Sequence, residues 1–234
     1  MKKVTAEILR NNLVFASLAE EDMEYLLKVG SYRSFRKRDI IYFPDDPANE
    51  IFFIVEGRVK LSRIFEDGRE IILEILKNND IFGEEAVISF DKRENMATAM
   101  DNVVLLSFEA KAVRALAKRN ASLAFRLLEL VNGRRVVLER KVEDLAFRNV
   151  PSRLARVLLE LAEEYGEKFG ENIVISTKLS QQDIGNLIGS TRETTSHFLN
   201  QFKKIGFIDF NKRMINIINK EKLEELIEQL VPLN

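Results

Sequence analysis

The spacing of hydrophobic residues changes along the chain, and each change predicts a different kind of element. Between Ala6 and Val29 the apolar residues recur every three or four positions, which predicts short amphipathic helices. From Tyr32 to Phe108 short runs rich in Ile, Val and Phe are separated by turn-forming Pro, Gly, Asn and Asp. Helical spacing returns near Lys111. We therefore expect helices, then a block of strands, then helices again.

The block of short strands predicts an antiparallel barrel or jelly roll. Its runs read DIIYF, EIFFIVEGRVKLSRI and REIILEIL. The Asp67-Gly68 pair between the last two runs is the clearest hairpin signal, because this dipeptide suits a tight turn between antiparallel strands.

Helical spacing persists from Lys111 to about Arg148 and predicts one long helix. One apolar stripe on it repeats at alternating intervals of three and four, and its members are Leu128, Val131, Arg135, Leu138, Val142 and Leu145. Charged neighbours keep the stripe narrow, as in the seam of a two-helix coiled coil. A single amphipathic helix lying on the barrel would show a similar stripe. We favour a parallel homodimer, in which the polar Arg135 would fix the register or help to bind an anion between subunits.

The chain beyond Arg148 predicts a separate C-terminal domain. Asn149-Val150-Pro151 marks the boundary, because Pro disfavours helix at the preceding residue and begins helices well. Two short helices then flank Gly189, and two short apolar runs around residues 211–213 follow as a hairpin. This order predicts a winged helix-turn-helix.

The second of these helices gathers polar side chains near its start, where a recognition helix meets base edges. Arg192 can pair bidentately with guanine, Glu193 can accept from cytosine, and Ser196 and His197 lie one turn further on. The predicted phosphate contacts are Ser180, Ser190, Thr191 and Lys212. Two alternatives stay open. Ser190 and Glu193 also fit a capping box, and His197 fits an inert surface residue.

Composition narrows the possible chemistry. The 234 residues include 36 basic and 37 acidic side chains, so binding to nucleic acid would depend on locally concentrated positive charge. The chain has no cysteine and one histidine, which argues against disulfides, thiolate or histidine metal sites, iron-sulfur clusters and Ser-His catalysis. The barrel region contains no histidine, so we expect neither haem nor the metal-dependent enzyme activity found on some barrels of this type.

The chain shows no signal for a membrane. No apolar run approaches the roughly 20 residues that a helix needs to cross a bilayer, and the N-terminus lacks the apolar core of a signal peptide. We therefore expect a cytoplasmic protein.

The whole chain resembles the cyclic-AMP receptor protein and fumarate-nitrate regulator family of bacterial transcription factors. The segments that carry the resemblance are DIIYFPDDPANEIFFIVEGRVKL, NDIFGEEAVI, EDLAFRNVPSRLARVLLELA and KLSQQDIGNLIGSTRETTSHFLNQFKKIGFI. It implies an α+β fold with an effector-sensing barrel domain at residues 1–110, a long dimerisation helix at 111–148 and a winged-helix DNA-binding domain at 149–234.

The resemblance also implies partners and base readers. The expected partners are a palindromic double-stranded DNA site, a second copy of the chain and RNA polymerase. Arg192 and Glu193 match the family's base readers. His197 stands where many members carry a second guanine-reading arginine, so the sequence departs from the family at one position of the half-site. The rival class is a purely structural dimer, which would be indifferent to base sequence.

The family's cyclic-nucleotide branch matches only in part. Its Gly-Glu pair holds the ribose, and Gly83 and Glu84 fit that element. Its Arg-Ser or Arg-Thr pair holds the phosphate, but Asn95 and Met96 stand here and offer neither charge nor hydroxyl. The Thr-Ser pair that meets adenine is also absent from the long helix. Cyclic AMP is therefore the weaker effector candidate.

The spacing is closer to the branch of nitrogen-status regulators that sense 2-oxoglutarate. These proteins place an arginine where Arg93 stands, and an arginine followed five residues later by a glutamate where Arg134 and Glu139 stand. A dicarboxylate suits two separated guanidinium forks. The implied effector site comprises Phe82, Gly83, Glu84, Arg93, Arg134 and Glu139.

Two objections to this effector site stay open. A carboxylate at Glu84 is unfavourable beside an anionic ligand unless it is paired. Arg93, Arg134 and Glu139 would alternatively be ordinary solvated charges, and the protein would then have either another effector or none.

Overall fold

The computed structural model describes residues 4–88, 91–170, 172–176, 179–211 and 214–228. The chain divides into two compact units. The first unit comprises Met1–Gly68 and Leu73–Val137, and the second comprises Arg69–Ile72 and Leu138–Asn234.

The first unit begins with helices α1 (Ala6–Arg10) and α2 (Glu20–Val29), as the apolar spacing predicted. The strands described after them are β1 (Ser31–Phe35), β2 (Ile40–Tyr42), β3 (Glu50–Glu56), β4 (Val59–Ile64), β5 (Glu70–Leu76), β6 (Ile81–Phe82), β7 (Met96–Ala99) and β8 (Val103–Glu109). The short helix α3 (Glu85–Ile88) lies between β6 and β7. The predicted hairpin joins neighbouring strands β4 and β5.

The strands form two antiparallel sheets, with the orders β1-β8-β3-β6 and β2-β7-β4-β5. Side chains from both sheets meet in one apolar core, so the sheets pack face to face; the aromatic members are Tyr42, Phe52 and Phe82. The predicted α+β jelly-roll fold is confirmed. The described strands form no closed barrel, because each of these two sheets stays open at its edges.

A second core covers the other face of the β1-β8-β3-β6 sheet. Phe15 packs edge-on against Phe108, with ring centroids 5.7 Å apart, and α1, α2 and α4 contribute further apolar side chains. Helices α4 (Ala110–Arg119) and α5 (Ala121–Phe147) replace the single long helix expected over residues 111–148. The break falls at Asn120, whose side-chain oxygen accepts a hydrogen bond from the Leu123 amide at 3.0 Å and so caps the start of α5.

The second unit holds the predicted winged helix. Its elements are α6 (Val150–Tyr165), β9 (Gly166–Phe169), β10 (Asn172–Ile175), α7 (Gln181–Ile188), α8 (Arg192–Lys204), β11 (Ile208–Asn211), β12 (Met214–Ile217) and α9 (Lys220–Glu228). The four strands form one sheet in the order β11-β12-β10-β9. Asn149 caps α6 by accepting from the Ser152 amide at 3.0 Å, and Pro151 lies in its first turn, as the boundary predicted.

Strand β9 was not predicted. Its residues Glu167, Lys168 and Phe169 are exposed, so the segment lacks the apolar alternation that identifies a strand. Pairing with β10 alone makes it a strand.

In the part of the chain that the structure describes, no helix is long and apolar enough to cross a membrane.

Candidate effector site and DNA interface

Arg93 is buried in the first unit, with only 3% of its surface exposed. Its guanidinium donates to the carbonyl of Gly83 at 3.3 Å and to that of Glu50 at 2.5 Å, and it forms an ion pair with Glu85 at 2.7 Å. The alternative that Arg93 is a solvated turn residue is therefore wrong. The backbone at Gly83 has φ of 81°, and a Cβ there would lie 2.8 Å from Arg93 Nη1, so glycine makes room for the guanidinium.

Three aromatic rings pack beside Arg93. Phe82 stacks on Phe52 with centroids 4.9 Å apart, and Tyr42 lies 6.0 Å from each. The Arg93 guanidinium carbon lies 4.4 Å from the Tyr42 ring centroid and 5.5 Å from that of Phe52, within cation-π range. Burial raises the pKa of Tyr42 far above its ordinary value, so the phenol stays protonated.

Arg134 reaches strand β6 from helix α5. Its Nη2 donates to the carbonyl of Ile81 at 2.7 Å, its Nε pairs with Glu74 at 2.8 Å, and its Nη1 pairs with Glu84. Burial acts to lower the pKa of Arg134, but the two carboxylates outweigh it and raise the pKa above its ordinary value. Arg134 is thus an engaged, largely buried cation. The objection to Glu84 is also answered, because its carboxylate is paired.

The structure brings five of the six predicted effector residues together around β6: Phe82, Gly83, Glu84, Arg93 and Arg134. Glu139 is exposed on α5 and belongs to the second compact unit, so its effector role stays a prediction.

Sequence reasoning missed the carboxylates Glu74 and Glu85. Glu74 interrupts the apolar run EIILEIL of β5, and Glu85 directly follows the recognised Gly-Glu pair. For Glu74, the available signal was a charged side chain inside an otherwise apolar strand.

The start of the recognition helix α8 is fixed by its own caps. Gly189, with φ of 62°, ends α7 in the left-handed conformation that glycine adopts at low cost. Thr191 then caps α8 by accepting from the Thr194 amide at 3.1 Å. The alternative capping box of Ser190 with Glu193 is therefore wrong, and Glu193 is not held as a helix cap.

The predicted base readers lie on the outside of α8. Arg192, Glu193 and His197 are exposed, and Ser196 is partly exposed. The capping box that does exist lies on α7, where the Ser180 hydroxyl donates to the Asp183 carboxylate at 2.5 Å. A phosphate contact by Ser180 would have to replace that bond. Lys212, the remaining predicted phosphate contact, lies outside the described residues.

The predicted seam of α5 stays largely exposed. The exposed fractions are 61% for Leu128, 40% for Leu138, 65% for Val142 and 39% for Leu145, and Val131 is partly buried. Arg135 is exposed and donates to Asn132 on the same helix. Leu145 also lies against the helix-turn-helix, because a Cβ at Gly189 would come within 2.7 Å of its Cδ2.

Comparison with known proteins identifies both parts of the chain. The family model of the cyclic nucleotide-binding domain matches residues 32–120, and that of the Crp-like helix-turn-helix domain matches residues 152–226. A global nitrogen regulator from Nostoc sp. is 34% identical over 186 residues, which cover 79% of this chain and 83% of the relative.

Further relatives span nearly the whole chain. A CRP-like cAMP-activated global transcriptional regulator from Mycobacterium tuberculosis is 28% identical over 217 residues, covering 93% of this chain and 97% of its own. The solved structure of FixK2 from Bradyrhizobium japonicum matches with a TM-score of 0.76 and 26% identity over 85% of this chain and 97% of that one. The Mycobacterium tuberculosis relative is named as a transcriptional regulator and the Nostoc relative as a global nitrogen regulator, and neither is named as an enzyme. The chain therefore belongs to the cyclic-AMP receptor protein and fumarate-nitrate regulator family of DNA-binding transcription regulators with an effector-binding domain.

Proposed function

We propose that the protein is a homodimeric regulator whose DNA binding is controlled by a small dicarboxylate, with 2-oxoglutarate as the first candidate. The observation that carries this proposal is the convergence of two arginines on one short segment. Arg134 donates to the carbonyl of Ile81, and Arg93 donates to that of Gly83, two residues further on. Two guanidinium forks held at one place suit a ligand with a carboxylate at each end.

Cyclic AMP fits the same site less well. Gly83 and Glu84 suit a ribose, but Asn95 and Met96 leave its cyclic phosphate without the Arg-Ser or Arg-Thr pair of the cyclic-nucleotide branch. Met96 is buried and apolar, which penalises a phosphate nearby.

A second candidate function is a regulator of the same family that needs no effector. The ion pairs of Arg93 with Glu85, and of Arg134 with Glu74 and Glu84, favour it because they neutralise both cations without a ligand. In that case the abundance of the protein alone would set how much of its DNA site is occupied.

The exposed stripe on α5 supports the homodimer. Leu128, Leu138 and Val142 repeat at coiled-coil spacing and leave apolar surface in water, which pairing with a second copy would bury. In the cytoplasm, such a dimer would place two recognition helices on successive major-groove faces of a palindrome, with half-site centres about 34 Å apart. We also propose that the DNA-bound dimer contacts RNA polymerase.

The effector is tested by calorimetric titration of the full chain with 2-oxoglutarate, run beside cyclic AMP. The variant Arg93→Lys keeps the positive charge but loses the guanidinium fork, so it should bind 2-oxoglutarate at least about tenfold more weakly. The matched control is Arg63→Lys, because Arg63 is an exposed arginine of the same unit whose ion pair with Glu94 lies on the surface. It should bind as the unaltered protein does.

Each outcome separates the candidates. Saturable binding of 2-oxoglutarate that Arg93→Lys weakens and Arg63→Lys preserves supports the dicarboxylate site. Binding of cyclic AMP alone would instead assign the ribose-type site around Glu84. Binding of neither ligand would favour the effector-independent regulator.

A further inference from the structure

The effector site carries more negative than positive charge before any ligand enters. The guanidinium groups of Arg93 and Arg134 contact three carboxylates: Glu85 pairs with Arg93, and Glu74 and Glu84 pair with Arg134. With every group ionised, two positive and three negative charges leave one net negative charge. A dicarboxylate bound as a dianion would raise that excess to three in a largely buried place.

Such an excess is costly where water cannot screen it. Arg93 and Glu84 expose only 3% and 7% of their surfaces. Like charges brought together in a medium of low effective dielectric constant repel strongly, and one of the acids takes up a proton instead. The question is which carboxyl group becomes neutral.

Glu74 is the carboxylate best placed to do so. Burial raises the pKa of Glu74, and the nearby charges of Glu84 and Asp80 raise it further. Arg134 is the group that opposes this rise. If a ligand carboxylate takes the Nε side of Arg134, Glu74 loses the one interaction that favours its ionised form.

The other two acids lack this combination. Glu85 pairs with Arg93 rather than with Arg134, so a ligand carboxylate on the Nε side of Arg134 leaves the ion pair of Glu85 in place. Glu84 holds Nη1 of Arg134, on the side away from the Nε–Glu74 contact. Tyr42 stays protonated beside both arginines and brings no further charge.

We infer that the dicarboxylate enters together with a proton, and that Glu74 takes up this proton as Arg134 turns from it to the ligand. The inference rests on the proposed dicarboxylate function. The step is reversible: the proton comes from solvent, an O–H bond forms on Glu74, and the Glu74–Arg134 ion pair is replaced by a ligand–Arg134 ion pair. The affinity for 2-oxoglutarate should therefore fall as the pH rises, by up to about tenfold per pH unit.

The test is a calorimetric titration of the full chain with 2-oxoglutarate at one neutral pH in two buffers, Hepes and Tris, whose ionisation enthalpies differ. Proton uptake from the buffer makes the observed binding enthalpy depend on that difference, with a slope of up to about one proton per site. Glu74→Gln removes the titrating group and keeps the shape of the side chain. We expect this variant to bind 2-oxoglutarate with a slope near zero and little dependence on pH.

The matched control is Glu94→Gln, because Glu94 is an exposed glutamate of the same unit whose ion pair with Arg63 lies on the surface. This variant should keep the slope of the unaltered protein. Binding without any slope would overturn the inference and leave the dicarboxylate proposal intact. A slope that survives in Glu74→Gln, or disappears in Glu94→Gln, would overturn the assignment to Glu74. No binding by the unaltered protein in either buffer would refute the dicarboxylate proposal itself, and the proton-coupled step with it.

Discussion

Arg192 is the first residue of the recognition helix, and its side chain is exposed. Thr191 performs the capping, so neither Arg192 nor Glu193 is needed to hold the helix start. Both side chains are thus available to reach base edges, where a guanidinium fork matches the two acceptors of guanine. The residue that caps α8 is therefore a different residue from those that would contact the bases.

Substitution of Arg192 by alanine should relax specificity at one G·C pair of each half-site and cost about 1 to 3 kcal/mol of binding free energy. The measurement is fluorescence anisotropy on a bound duplex and on its single-base-pair variants. Lys204→Ala serves as the control, because Lys204 lies exposed in the last turn of the same helix and would contribute only sequence-independent charge. Equal weakening on every duplex by Arg192→Ala would contradict base reading.

Arg93 was predicted as a site residue from the sequence, whereas Glu74 was not. The resemblance assigned Arg93 to the effector site, and the structure buries its guanidinium against backbone carbonyls and Glu85, so its contact with an effector stays a prediction. Its partners were not predictable in the same way, because the carbonyl of Glu50 and the carboxylate of Glu85 approach it only after β3 and β6 pair. Glu74 meets Arg134 across 60 residues of sequence. No local pattern reports such a contact.

Local capping decides where several helices of this chain begin. Asn120 starts α5, Asn149 starts α6, Ser180 starts α7 and Thr191 starts α8, each with a side-chain oxygen that accepts a backbone amide. The sequence offered Ser190, paired with Glu193, as the cap of α8. The left-handed turn at Gly189 places Ser190 one residue too early, so Thr191 is the cap.

Substitution of Thr191 by alanine should lower the free energy of unfolding of the second unit by about 1 kcal/mol, because the Thr194 amide loses its acceptor. Urea unfolding followed by circular dichroism, without DNA, measures this loss. Ser190→Ala is the matched control and should change the free energy by less than about 0.5 kcal/mol. A larger loss from Ser190→Ala than from Thr191→Ala would place the cap at Ser190 after all.

The elements were predictable where apolar spacing is regular. Helices α1 and α2 follow such spacing, and the Asp67-Gly68 pair marks the hairpin between β4 and β5. The exposed edge strand β9 carries no such pattern, and the break at Asn120 depends on a single side chain within continuous helical spacing. Whether the sheet closes into a barrel depends on the pairing of distant strands, which periodicity does not encode.

At the scale of the whole molecule, helix α5 carries two apolar surfaces. Leu123 and Leu127 are buried in the core of the first unit, whereas Leu128, Leu138 and Val142 are exposed. In the proposed homodimer, the exposed stripe would pack against the same stripe of a second chain.

Substitution of Val142 by glutamate should weaken the homodimer by on the order of 100-fold, which corresponds to about 2.7 kcal/mol, because each seam would then bury two like charges. Sedimentation velocity over a range of protein concentrations measures the monomer–dimer equilibrium. Glu143→Gln changes an exposed neighbour off the stripe and should leave the equilibrium unchanged. A monomeric unaltered protein, or a Val142→Glu variant that dimerises equally well, would contradict the assignment.

The central claim is that an effector-controlled dimer reads a palindromic DNA site. It is tested most directly by selection of binding sequences from random duplexes, carried out with and without 2-oxoglutarate. We predict an enriched inverted repeat with half-site centres about 34 Å apart, a G·C pair read by Arg192 in each half, and enrichment that changes with the effector. Enrichment that is identical with and without 2-oxoglutarate would contradict effector control, and the absence of any enriched repeat would contradict the dimeric reading of DNA.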